Sequence, residues 1–207
     1  MMTNRKWENF YKPLTIENYL YNLSRHRFLF SQILRTNPKK VVEVGIGSGS
    51  MSIFLSHLGI DVVGIDNNPT ILKMAQENAK KLNADVKFIL TDVLKPLPLK
   101  NEFDVSFSQG VAEHFTDQQA RTFIKNQLDI SKRVIISLPN KYYYKSFGDE
   151  RLLGIDEWKK ILRMFNISKI CYYGIELPSK EFALKKILSL RPHHIIKPHH
   201  IFIEIQR

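Results

Sequence analysis

Val41-Val42-Glu43-Val44-Gly45-Ile46-Gly47-Ser48-Gly49-Ser50 joins an apolar, β-branched run to three glycines at alternate positions. The apolar part reads as a strand buried on both faces of a parallel sheet, and Met51 to Leu58 behind it reads as an amphipathic helix. Strand, glycine turn and helix in that order make a ligand-binding corner. Glycines let the backbone take positive φ and let a ligand approach the main chain, and the unbonded N–H groups at a helix start attract anionic or polar groups.

The spacing narrows the ligand. The dinucleotide fingerprint is GxGxxG, whereas Gly45, Gly47 and Gly49 form GxGxG, with Ser50 and Met51 where the later glycine would stand. The next apolar run, Val62 to Ile65, closes on Asp66, at the distance where an acid accepts hydrogen bonds from a ribose diol. Glu43 extends the string to ExGxGxG. With that string the chain resembles the class I S-adenosylmethionine-dependent methyltransferases, whose first motif is an acid followed by GxGxG. Taken alone, the turn also fits NAD or a tight turn in some other α/β protein, so the rest of the chain has to decide.

Composition narrows the field. The chain has 207 residues, 43% of them apolar and 25% charged, which suits one domain with a substantial core. No apolar run approaches a membrane span. Residues 1–7 lack the apolar core of a secretory signal, so the expectation is a cytoplasmic protein. The single cysteine, Cys171, sits in a strand-like run and reads as a sheet residue. The net charge of +11 is distributed as single and paired cations with no long basic run, which favours a generally basic surface over a nucleic-acid footprint.

Taken in order, residues 1–14 read as an arm carrying Trp7, Phe10 and Tyr11. Thr15 caps a helix whose apolar residues, from Ile16 through Ile33, keep helical spacing to Arg35. Strands are expected at 61–65, 86–90, 103–107, 133–138, 167–175 and 200–206. Asn67, Asn68 and Pro69 open a helix that runs to about Leu82, and Thr116 with Gln119 has capping-box spacing at the start of another. Asp156 is expected to cap a helix over 157–164, and residues 180–190 read as helical. Strands alternating with helices predict an α/β fold, a doubly wound, mostly parallel sheet with helices on both faces; the resemblance implies seven strands, the C-terminal one antiparallel and paired with the sixth in a hairpin. One domain is expected: 1–36 arm and helix with a possible lid role, 38–140 the cofactor-binding core, and 141–207 the substrate-side half with the C-terminal hairpin.

The resemblance implies the rest. It assigns Glu43, Gly45, Gly47, Gly49, Asp66, Asn67, Asp92, Val93 and Gln109 to S-adenosylmethionine, which leaves as S-adenosylhomocysteine, with Asp92 and Val93 at the adenine. It makes Trp7, Tyr11 and Tyr19 lid candidates and places Ser108 to Phe115 at the floor of the site. Methyl transfer from a sulfonium is an in-line displacement that rests on positioning, and a base is needed only for an acceptor that loses a proton. His114, with Glu113 beside it, is the candidate base, because imidazole titrates near neutrality; a structural role for the pair is the alternative. Tyr11, Tyr19, Tyr142 and Tyr143 are the candidate acceptor contacts. Lys141 to Lys145, with Tyr144, would suit nucleotide stacking or a pocket wall equally. No metal is expected: the doublets His193-His194 and His199-His200 have no Cys or carboxylate nearby in sequence, and Pro198 fits a surface loop. The expected partner is a small-molecule acceptor. RNA or another macromolecule is the alternative acceptor, and a non-catalytic S-adenosylmethionine-binding protein is a third reading.

Overall fold

The run at 41–44 forms the middle of a sheet, and its side chains alternate between two different cores. The computed structural model describes residues 11, 14–100, 103–143, 148–174 and 197–207. In β1 (Lys40–Val44), Val42 and Val44 join one apolar cluster and Val41 joins another on the opposite face, as the period of two in a strand requires. The remaining strands are β2 (Asp61–Asp66), β3 (Val86–Leu90), β4 (Val105–Gln109), β5 (Arg133–Pro139), β6 (Asn166–Tyr173) and β7 (His200–Gln206). Their order across the sheet is β3-β2-β1-β4-β5-β7-β6. β1 to β5 are parallel, and β7 runs antiparallel between β5 and β6. The expected fold class is the observed one.

Among the described residues six helices clothe the sheet: α1 (Ile16–Arg25), α2 (Arg27–Leu34), α3 (Ser50–His57), α4 (Pro69–Lys81), α5 (Asp117–Ile130) and α6 (Ile155–Ile161). Leu29, Phe30 and Ile33 of α2 and Met51 and Leu55 of α3 bury against Val41, Val62, Phe107 and Phe202. On the other face Phe123 and Ile124 of α5 and Trp158 of α6 bury against Val44, Ile65, Ile136 and Ile203. The local start signals act as read: Thr15 Oγ1 accepts from Asn18 N, Asn68 Oδ1 accepts from Thr70 N and Ile71 N, and Thr116 with Gln119 closes a capping box.

Several boundaries differ from the sequence reading. The helix expected over 15–35 is two helices, broken at His26, where φ −97° and ψ 13° leave the helical region. α1 has no fully buried side chain: Tyr19 and Leu23 are half-buried against the core while Ile16 and Leu20 are exposed, so only part of the apolar spacing marks an inward face. β4 starts two residues late, because Phe103 makes only an isolated bridge to Ser131. α6 is capped by Gly154, whose N–H donates to Glu157 Oε2 at 2.7 Å, and Asp156 lies in the first turn. His199 and His200 are buried rather than on a surface loop, since Pro139 of β5 pairs with His200 across the sheet. The helix expected at 180–190, together with Trp7, Tyr144, His193 and His194, lies outside the described residues.

Sheet order places the site. β1 and β4 are neighbours although β2 and β3 intervene in sequence, and a crevice forms at that switch point beyond the strand ends. β7 is antiparallel, so its first residue, His200, arrives at the same end of the sheet as the last residues of β4 and β5.

Candidate active site

The glycine turn is braced from three directions. Gly47 has φ +54°, and a Cβ there would sit 2.7 Å from the Tyr11 hydroxyl, so only glycine admits both this backbone and the Tyr11 ring above it. Asn78 of α4 donates to Ser48 O at 2.9 Å, Asn22 of α1 donates to Ser50 Oγ at 3.3 Å, and Ser48 and Ser50 share a hydrogen bond of 2.7 Å. Behind the turn, Gly64 of β2 leaves room for Ile46: an added Cβ would lie 1.9 Å from Ile46 Cδ1.

Two acids flank this turn. Glu43 is 4% exposed and points to the α3 side, where its Oε2 accepts from Ser52 N at 3.0 Å and Ser52 Oγ at 2.5 Å. It therefore caps the first turn of α3 from outside the helix. Burial raises its carboxyl to about 8, which outweighs the two Ser52 donors. Asp66, at the end of β2, accepts the Asn68 N–H at 2.9 Å and is also reached by the backbone N–H groups of Ile46, Gly47 and Asn67. Burial still raises its pKa above the usual carboxylate value. The Tyr11 hydroxyl is raised in turn, by its own burial first and then by the charges of Asp66, Glu43 and Glu113.

The crevice has two lobes that share Tyr11, Gly45, Gln109, Gly110 and His114 as walls. One, of about 120 Å³, is lined by Asp66 and Asn67 at one end and by Ile65, Ile71, Thr91, Val93, Val111 and Phe115. The other, of about 180 Å³, is lined by Glu43, Gly47, Ser48 and Ser50 and extends to Glu113, Glu150, Arg25, His26, Tyr143 and His200. A nucleoside with a charged amino-acid tail suits this pair: an acid beside apolar walls in one lobe, and a glycine turn with hydroxyls and both signs of charge in the other. The residues present thus fit S-adenosylmethionine.

Most of the residues read from the sequence come together here. Glu43, Gly45, Gly47, Asp66, Asn67, Val93, Gln109, Glu113, His114, Tyr11 and Tyr143 all line one lobe or the other. Gly49 stands just behind as the N-cap of α3. Asp92 does not line either lobe; its Oδ1 accepts Leu94 N at 3.0 Å within its own turn, and Thr91 and Val93 face the cavity instead. Tyr19 packs with Leu14, Ile53 and Ala79 between α3 and α4. The Tyr142 hydroxyl accepts from Lys197 at 3.1 Å away from the lobes. Residues that sequence reasoning passed over are Asn22, Arg25, His26, Glu150 and His200. The sequence signals for them are coarser: 1–36 reads as an arm and helix with a possible lid role and 141–207 as the substrate-side half, and His200 stands in the His199-His200 doublet.

His114 ends a short 3₁₀ turn, Ala112–His114, directly after β4. Its Nδ1 lies 3.4 Å from Asp149 Oδ1 and its Nε2 3.8 Å from Glu113 Oε1. Two carboxylates beside one imidazole stabilise the imidazolium that forms when the ring accepts a proton. Among the described residues no group of three or more His, Cys, Asp or Glu side chains is placed to hold a metal ion, and no helix is long and apolar enough to cross a membrane.

Comparison with known proteins is consistent with this geometry. A family profile described as a methyltransferase domain matches residues 41–133. A Methanocaldococcus jannaschii protein named as a protein N5-glutamine methyltransferase is 31% identical over 134 residues, 60% of this chain and 66% of its own length. The ubiquinone biosynthesis O-methyltransferase of Pelagibacter ubique is 29% identical over 186 residues, 77% of this chain and 74% of its own. This chain thus spans about two thirds to three quarters of those relatives. In fold it is similar to the magnesium protoporphyrin IX methyltransferase of Synechocystis, solved with S-adenosylmethionine bound: TM-score 0.64, 18% identity, covering 97% of this chain and 89% of that one.

Proposed function

We propose, from the premise that this chain belongs to the class I S-adenosylmethionine-dependent methyltransferases, that it methylates a small-molecule acceptor bound in the larger lobe. When bound, the cofactor supplies a methyl group already activated on a sulfonium. Asp66 and Asn67 would hold the ribose, Val93 and its apolar neighbours the base, and Gly45 to Ser50 with Glu43 the amino-acid end. His114, on the wall that both lobes share, is the group placed to take a proton from an acceptor hydroxyl. Glu113 and Asp149 balance the charge it gains, and a nucleophile needing no deprotonation would use the same wall for positioning alone.

The observation that supports the small-molecule reading is the modest size of the larger lobe, about 180 Å³. Buried His26 and His200 line it beside Tyr143 and Arg25, a concave polar and aromatic wall of the kind that suits a small acceptor. The relatives act, by their names, on a protein side chain in one case and a biosynthetic small molecule in the other. Calorimetric titration with S-adenosylmethionine and S-adenosylhomocysteine, with NADH as control, tests the cofactor, and an acceptor screen with labelled methyl groups tests the substrate. We expect both sulfur ligands to bind and NADH to be inert. Salt-sensitive binding and methylation of RNA with no small molecule turned over would replace this reading by one in which the +11 charge serves a nucleic acid.

A further inference from the structure

The far wall of the larger lobe is assembled from three distant segments. Arg25 and His26 come from the break between α1 and α2, Tyr143 follows β5, and His200 opens β7. Arg25 Nη2 donates to the Tyr143 hydroxyl at 3.0 Å, and its guanidinium lies 5.5 Å from the centre of that ring. His200 stands tilted against Tyr143, with centroids 5.4 Å apart, meets His26 edge-on at 6.4 Å, and stacks on Tyr173 at 5.3 Å. His26 is 7% exposed, and its Nδ1 is buried with no hydrogen-bond partner.

A buried ring nitrogen without a partner is a group whose solvation has been given up with nothing in return, so a ligand oxygen that reaches this ring is favoured. The charge pattern indicates the kind of ligand. The acids of the lobe, Glu43, Glu113 and Glu150, come from β1 and the segments around His114, while this wall carries a guanidinium beside two imidazoles. Burial and the Arg25 charge lower both rings, His26 to about 4 and His200 well below its usual value, so at neutral pH they are uncharged hydrogen-bonding groups next to one fixed cation. An amine brought here would face that cation; an anionic oxygen would be attracted by it and could accept an imidazole N–H. The flat faces of Tyr143 and His200 favour a ring carrying that oxygen.

Resting on the methyltransferase reading, we infer that Arg25, His26, Tyr143 and His200 form the acceptor subsite, and that the acceptor is a small aromatic compound bearing an anionic oxygen, carboxylate or phenolate.

The test uses the full chain saturated with S-adenosylhomocysteine and three probes: benzoate, phenol and benzylamine. Histidine ring signals are followed by NMR and affinities by calorimetry. We expect benzoate to shift the His26 and His200 signals, benzylamine to leave them in place, and phenol to act only as pH rises if the recognised oxygen is a phenolate. Benzylamine acting in preference to the other two, or no probe moving either ring, overturns the inference. Arg25→Gln should weaken the effective anion by about tenfold or more, with S-adenosylhomocysteine affinity kept within about twofold. Loss of S-adenosylhomocysteine affinity in that variant would assign Arg25 to the cofactor and also overturn it. His26→Phe, which keeps a ring of similar size, should weaken benzoate without changing S-adenosylhomocysteine binding. If the wild type binds no S-adenosylhomocysteine, the methyltransferase reading fails on that result alone, and titration of the free protein with the same probes still decides the chemistry of this wall.

Discussion

Glu43 does two things at once: it presents one oxygen to Ser52 of α3 and lies on the wall of the larger lobe, held above its usual pKa by burial. Between the usual 4.5 and about 8 the folded chain keeps a proton that the unfolded chain has released. Stability therefore falls as pH rises through that window, by at most about 1.4 kcal/mol per pH unit for one proton. Glu43→Gln should flatten this slope, so thermal melts of the ligand-free protein from pH 5 to 8 should cross, the variant being the more stable at the alkaline end. Parallel melting curves would show that Glu43 is ionised in the fold. His114→Ala makes a different prediction. If the ring accepts a proton, turnover should fall by about 10²-fold or more, with S-adenosylhomocysteine affinity nearly unchanged. A normal rate would leave His114 as a shaping residue only.

Between elements, the glycine turn depends on a residue that no ligand touches. Gly64 of β2 makes room for Ile46, and Ile46 packs on Leu72 and Ala75 of α4. Gly64→Ala should therefore cost about 1–3 kcal/mol by overpacking. Ile46→Val, which removes the Cδ1 that the new methyl would strike, should recover much of that loss in the double variant, and denaturant melts of the four chains measure the coupling. Additive losses would mean the turn relaxes some other way. The same scale separates what the sequence made legible from what it hid. Strand alternation at Val41–Val44 and the caps at Thr15, Asn68 and Thr116 are local, so their residues declare them. The cap of α6 is local too, since the Gly154 N–H meets Glu157 three residues on, but a glycine offers no side chain to declare it beside the available Asp156; the break at His26 runs against the apolar spacing and has no such local mark. His200 is the extreme case, because only the insertion of β7 beside β5 brings it to Pro139 and the cavity. Tyr19, a lid candidate only through the family resemblance, packs instead with Leu14, Ile53 and Ala79.

Across the whole molecule, protection against exchange should be uneven. β7 is hydrogen-bonded on both sides, to β5 and to β6, while α1 has no fully buried side chain. In hydrogen–deuterium exchange, peptides from 16–25 should label early and those from 200–206 last, since opening α1 exposes little and opening β7 splits the sheet. Equal rates in the two would contradict this order. The position of β7 also governs how the chain is made. A ribosome delivers β6 first, yet among the described strands β6 pairs only with β7, so residues 166–173 emerge with both edges bare. β6 therefore cannot join the sheet until residues 200–206 are free to pair with it. Whenever β7 is displaced, β6 and β5 are left with open strand edges that can template pairing with other chains, so the order of the sheet makes one strand the guard against aggregation.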